Sequence, residues 1–241
     1  MIAVARAAGR TFGDAVVLRD VDLEVPGGSV TGLIGPNGGG KSTLLLLFAG
    51  LLTPTSGDVT VDGLPATRVA LEKRGTVGLI TADAGLYPLL TGRENLRFFG
   101  GLYGLAANEV DARSAPFLAE LDLSGHVDRP VSTWSSGMRQ KLSLARALLM
   151  KPVLLLLDEP TANLDPLAAH AIHAAVRAEA DRGTAVVLAT HDLVAAEAIC
   201  DQVALIDGTV VTVERFEGPR TLPEAGRLLA LYRRNDVGLR S

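Results

Sequence analysis

The stretch "GLIGPNGGGKST", residues 32–43, gathers the residue types that hold a phosphate. The pattern G-x-x-x-x-G-K-[ST] falls on Gly35, Gly40, Lys41 and Ser42, directly after the strand-like "SVTGLI" and before the helix-like "STLLLLFAGLL". Glycines at this density let the backbone of Gly35, Pro36, Asn37, Gly38, Gly39 and Gly40 curl so that its N–H groups, with those of Lys41, Ser42 and Thr43, face phosphate oxygens. Lys41 adds a point charge for the β- and γ-phosphates, and the Ser42 hydroxyl can ligate Mg²⁺.

Two further positions join that loop in chemistry. "VLLLLDEP" ends an apolar strand on Asp158 and Glu159, and carboxylates at the carboxyl end of a buried parallel strand sit where ligands bind in such sheets. Asp158 is the expected Mg²⁺ ligand and Glu159 the group that polarises an attacking water. His191 follows the strand "TAVVLAT", which puts it on the same edge, in position to donate to a γ-phosphate. His126, His170 and His173 have no such placement. A fourth stretch, "WSSGMRQK" at 134–141, is a small-residue turn leading into a helix-like run; it offers free N–H groups to an anion yet has no lysine placed like Lys41.

The elements that must carry these groups read as mixed α/β. Short alternating strands near 2–6, 20–24 and 57–62 predict an antiparallel layer. The nearly continuous apolar runs at 153–157 and 184–190 predict parallel strands buried on both faces. Between about 91 and 149 the pattern turns helical: "TGRE" predicts a capping box with Thr91 as N-cap and Glu94 at N3, followed by Leu96, Phe99 and Tyr103 at helical spacing. The segment "TLPEAGRLLALYRR" predicts a docked helix near the end of the chain.

Bulk properties exclude several classes. A net charge of −4 and pI near 5.6 leave no dominant basic surface for nucleic acid. One cysteine, Cys200, excludes a disulfide framework or zinc-finger spacing and reads as a small core residue. Mean hydropathy is +0.29, but the longest apolar run, "LLLLFAGLL", is too short to span a bilayer. The opening "MIAVARAAGR" lacks the order of a signal peptide, so any work at a membrane requires another component to hold the chain there.

Taken in order, "GPNGGGKST", "WSSGM", "LLLLDEP", "NLD" and "ATHD" resemble the ATP-binding cassette (ABC) family of transporter ATPases over nearly the whole chain. The resemblance implies a P-loop NTPase (RecA-like) core with a mostly parallel sheet, an antiparallel β-subdomain and an inserted α-helical subdomain. It implies a cassette over 1–215, with the helical subdomain at about 91–149, and a C-terminal helical tail over 216–241. It also explains the turn without a lysine: in such proteins the signature turn of one cassette faces the nucleotide on the phosphate loop of a second. Ser135 would give a hydroxyl to the γ-phosphate and Gly137 its N–H, with Asp165 of the "NLD" match at the dimer seam. Phe12, 29 residues before Lys41, stands where the family places an aromatic that stacks on adenine; otherwise it is a core phenylalanine.

Further implications of the resemblance are ATP and Mg²⁺ as cofactors, a second cassette (an identical copy or a paralogue) and a separate membrane permease as partners, and a cytoplasmic position on the inner face of the cell membrane. The wording around "LYPLLTGRENLRFFGGLYGL" is similar to exporter-type cassettes of bacterial drug, ion and polysaccharide systems. The rival reading is a soluble cassette ATPase acting on nucleic acid or ribosomes, against which stand the acidic pI and the lack of sustained heptads. Three departures stand out: Ser136 replaces a second signature glycine, Met138 replaces a glutamine, and Ala82 replaces the glutamine of the loop that reaches Mg²⁺ and relays nucleotide state. Either Asp83 takes over as a Mg²⁺ ligand, or hydrolysis rests mainly on Glu159 and His191.

Overall fold

The structure, a computed structural model, describes residues 1–216. The chain runs β1 (Ala3–Phe12), β2 (Ala15–Val25), β3 (Val30–Ile34), α1 (Lys41–Phe48), β4 (Ser56–Val61), β5 (Leu64–Pro65), α2 (Ala66–Glu72) and β6 (Val77–Ile80). It continues with α3 (Gly92–Leu102), α4 (Ala107–Glu120), a 3-10 turn at Val131–Thr133 and α5 (Ser136–Leu148). The last part is β7 (Leu154–Asp158), α6 (Pro166–Asp181), β8 (Ala185–Ala189), α7 (Leu193–Ile199), β9 (Gln202–Ile206) and β10 (Val210–Arg215).

Two sheets result. One is antiparallel in the order β2-β1-β4-β5; the other is β10-β9-β3-β8-β7-β6, parallel except where β10 pairs with β9. Continuous apolar strands are required because the second sheet is covered on both faces, and its residues alternate between two cores. Leu154 and Leu156 pack with α1 and the antiparallel sheet, whereas Leu155 and Leu157 pack with α5 and α6. Phe48 of α1, fully buried, anchors the first of these cores. A buried amide ties the layers: Gln202 Nε2 donates to Glu24 O at 2.8 Å and to Thr31 Oγ1 at 2.9 Å.

The antiparallel strands extend well past the expected segments because β1 and β2 are irregular. Ala7 (φ 44°) and Asp20 (φ 46°) take left-handed backbone, and the β1–β2 register shifts between Ala5 and Ala8 and again on either side of Arg10. Such bulges break the alternation that a sequence reading depends on. The capping box is present: Glu94 N donates to Thr91 Oγ1 at 3.1 Å and Thr91 N to Glu94 Oε2 at 2.8 Å. Along α3 the predicted stripe fades outward, with Leu96 buried, Phe99 half-buried and Tyr103 exposed. The expected C-terminal helix lies outside the described residues.

Candidate functional site

Register alone gathers the candidate groups at one edge. Ala189, the last residue of β8, pairs with Leu33 of β3 on one side and Asp158 of β7 on the other. The loop 35–40, the pair Asp158–Glu159 and the turn at His191 therefore leave the carboxyl ends of three adjacent strands together, which is where ligands bind in open α/β sheets.

The phosphate loop is shaped by contacts that only glycine permits. Gly40, the residue before α1, has φ 95°, and a Cβ there would lie 2.4 Å from Leu18 Cδ2. Any other residue at 40 would be strained in backbone and would push away β2. Behind the loop, Gly208 N donates to Gly39 O at 3.0 Å, and Gly39 N donates to Pro36 O at 3.1 Å. Lys41 is 7% exposed, and its Nζ donates to Gly35 O at 2.7 Å and Pro36 O at 2.9 Å, bending back over its own loop. Burial pushes its ammonium below the ordinary lysine pKa, an effect opposed by the nearby carboxylates of Glu159 and Asp158. Asn37, Gly38 and Ser42 are exposed, and Thr43 is half-buried.

Glu159 is held under backbone strain. Its φ is 48°, a left-handed conformation that costs a non-glycine residue about 1 kcal/mol or more. Its N–H donates to Ala189 O at 2.9 Å, which locks the chain as it turns off β7. The carboxylate then meets His191: Oε2 lies 2.9 Å from Nδ1, so the ionised acid accepts the Nδ1 proton and fixes the ring's orientation. The His191 side chain is 70% exposed and Glu159's 22%, so the pair is rooted at its carboxylate and opens to solvent at its imidazole. Nε2 then donates to a phosphate oxygen only when the ring carries both protons.

The half-buried Asp158 side chain accepts no hydrogen bond among the described residues. That leaves its carboxylate available to a cation such as Mg²⁺, which is usually held by one or two carboxylates together with phosphate oxygens. Asp83 is used differently, its Oδ1 accepting from Gly85 N at 3.1 Å within its own loop. Among the described residues no three His, Cys, Asp or Glu side chains gather as a metal site, so Asp83 is not drawn into one with Asp158 and Glu159.

The signature turn opens α5. Ser135 is the N-cap of α5, its Oγ accepting from Met138 N at 3.2 Å, and it is exposed. A hydroxyl that accepts one bond still has its proton to give, so Ser135 can cap the helix and donate to an anion at once. Gly137 is buried, and a Cβ there would sit 2.6 Å from Ala168 Cβ, so α5 and α6 touch through it. Asp165 lies beside that contact as the N-cap of α6, its Oδ1 accepting from Ala168 N at 2.9 Å. Phe12 is no core residue: it is 44% exposed at the tip of the β1–β2 hairpin.

Sequence reading missed what α5 does to loop 81–87. The buried Gln140 donates to Thr81 O at 3.0 Å, and Arg146 donates to Gly85 O at 2.7 Å. Arg146 also stacks 4.6 Å from the Phe99 ring centroid, and desolvation by burial lowers its pKa. The only sequence signal was that both lie on the helix that the signature opens. Arg146 further lines a groove of about 540 Å³ bounded by Leu51, Arg74, Phe99, Leu102 and Tyr103, between the sheet core and the helical insert.

Known proteins resemble this chain along most of its length. The profile of the family described as ABC transporter matches residues 18–162. The Nod factor export ATP-binding protein I of Cupriavidus pinatubonensis is 39% identical over 203 residues, covering 84% of this chain and 62% of that protein. The linearmycin resistance ATP-binding protein LnrL of Bacillus subtilis is 32% identical over 198 residues, covering 82% and 64%. The chain thus spans a little under two thirds of the length of these relatives. Among solved structures, an ATP-binding subunit of an ABC transporter is 30% identical with a TM-score of 0.81, covering 96% of this chain and 94% of that one. A dimeric ATP-binding cassette in a post-hydrolysis state with ADP and Pi is 26% identical with a TM-score of 0.79, covering 90% and 100%.

Proposed function

Because the chain belongs to the ABC transporter family, whose ATP-binding cassette it carries, we propose that it binds two MgATP as a head-to-tail dimer, hydrolyses them, and drives a separate membrane permease of exporter type. The observation that carries this reading is the Glu159–His191 pair, set at 2.9 Å beside Lys41 and Asp158 on one sheet edge.

In the proposed site the loop N–H groups and Lys41 hold the β- and γ-phosphates, and Lys41 exchanges its carbonyl acceptors for phosphate oxygens without leaving its burial. Ser42 and Asp158 would hold Mg²⁺, which would supply neutralising charge to the phosphates when bound. Glu159, kept in place by its strained backbone and by His191, orients the attacking water and takes up its proton. His191 donates through Nε2 to the γ-phosphate. Ser135 and the N–H of Gly137 come from the second copy, where the positive end of α5 meets the same phosphate.

Hydrolysis in this scheme rests on Glu159 and His191, with Asp83 left to shape its own loop. The groove beside Arg146 and the loop 82–92 form the docking face for the permease, which sets the chain on the inner face of the membrane. No helix among the described residues is long and apolar enough to cross a membrane itself.

The composite site has a direct test by mixing. Lys41→Ala kills the phosphate loop; Ser135→Asp keeps a good N-cap but aims a carboxylate at the phosphate, so each alone should lose turnover by at least ~100-fold. An equal mixture contains heterodimers in which one site has an intact loop and an intact signature, so roughly a quarter of wild-type turnover should return. A mixture no more active than its parts would overturn the head-to-tail reading.

A further inference from the structure

The β1–β2 hairpin reaches the phosphate loop through Leu18, whose Cδ2 closes on the position a Gly40 Cβ would take, while Val17 O is 3.3 Å from that point. Phe12 pairs with Ala15, three residues nearer the tip, so its ring projects about 10 Å beyond that contact. One of its faces is already taken. The Arg10 guanidinium carbon lies 4.5 Å from the ring centroid.

Arg10 is tethered there: its Nη1 donates to Thr53 O at 2.8 Å. Thr53 follows the C-terminal end of α1, and α1 begins at Lys41, so the tether comes from the end of the helix remote from the phosphates. The eight residues of α1 separate the two ends by about 12 Å. The guanidinium covers one face of the Phe12 ring, while Phe12 as a whole stays 44% exposed. The Arg10 Nε is enclosed and makes no hydrogen bond within the described structure, so the group is held by the tether and the ring stack.

We infer that Arg10 is a positioning residue for the nucleobase: it fixes Phe12 as a platform with one free face, turned toward a purine whose phosphates lie on the 35–40 loop. The physical gain has two parts. A ring pinned before binding loses less freedom when the base arrives. A cation on one face draws π density away from the other, which favours stacking with an electron-rich purine. This inference rests on the proposed stacking of adenine on Phe12 and goes beyond it, since it assigns the ring's orientation and electronics to a second residue.

The experiment is a double-mutant cycle on ATP affinity by calorimetry, with tripolyphosphate as a probe that has phosphates and no base. Arg10→Ala should raise the Kd for ATP about 2- to 5-fold and leave that for tripolyphosphate unchanged; Arg10→Lys, which keeps the cation but loses the planar stack, should recover only part of the loss. In a Phe12→Ala background Arg10→Ala should have no further effect. An equal loss for ATP and tripolyphosphate, or the same loss with Phe12 absent, would overturn the role of Arg10 while sparing the stacking. Phe12→Ala binding ATP as tightly as wild type would overturn the stacking itself and this inference with it.

Discussion

The two ends of the proposed composite site are built in different ways. At the phosphate-loop end, buried strands fix everything: Leu33, Ala189 and Asp158 share a register, Lys41 is nearly enclosed, and Glu159 holds a strained backbone. At the signature end, one exposed serine caps a helix whose other contacts run sideways to loop 81–87 and to α6. The first end is preorganised by the core of its own chain. The second is fixed in position by the Met138 N–H bond to Ser135, but the serine's own proton is unspent, which is what a surface that completes another molecule's site requires.

The largest effects should break the first end. Removing a preorganised transition-state donor costs about 3–4 kcal/mol, so steady-state ATPase of Lys41→Ala and of His191→Ala should fall at least ~100-fold. A loss of only a few-fold at either position would mean that the buried edge is not where the chemistry is done.

An intermediate effect should appear in the link between the second end and loop 81–87. Arg146→Ala removes a charge-assisted bond from a half-buried guanidinium to Gly85 O, worth roughly 1.5 kcal/mol, so amide exchange across 81–87 should speed up about 10-fold while 35–41 is unchanged. Uniform acceleration over both segments would show that Arg146 supports the fold and not the loop. The smallest effect belongs to Asp83→Ala, for which the Mg²⁺ dependence of turnover should match wild type within about twofold, since surface substitutions away from special features stay within about 0.5 kcal/mol. A marked rise in the Mg²⁺ required would restore Asp83 as a metal ligand.

The same contrast explains what could be read beforehand. The buried edge was legible because each of its groups ends a strand or opens a helix whose pattern is unmistakable: "VLLLLDEP", "TAVVLATHD" and "GLIGPNGGGKST" carry both the chemistry and its placement. Thr91 and Glu94 were legible for the same reason, as a cap whose partners lie three residues apart. What stayed hidden depends on contacts distant in sequence or on backbone angles. Gln140 reaches Thr81 across 59 residues, and Arg146 reaches Gly85 across 61. The left-handed φ of Glu159 and of Ala7 has no residue-type signature, since glutamate and alanine rarely take that backbone, and the aspartate at Asp20 is only a weak hint of it. Phe12 could be placed in the core or on the surface by pattern, and only the hairpin tip decides between them.

The central claim is that Ser135 and Gly137 serve the phosphate loop of a second copy, and one mass measurement addresses it. Glu159→Gln keeps the side chain's shape and its strained position but cannot take a proton, so the protein should bind MgATP without turning it over. Light scattering on the size-exclusion peak should then report the mass of one chain without nucleotide and of two chains with saturating MgATP. A single-chain mass with MgATP bound would contradict the account.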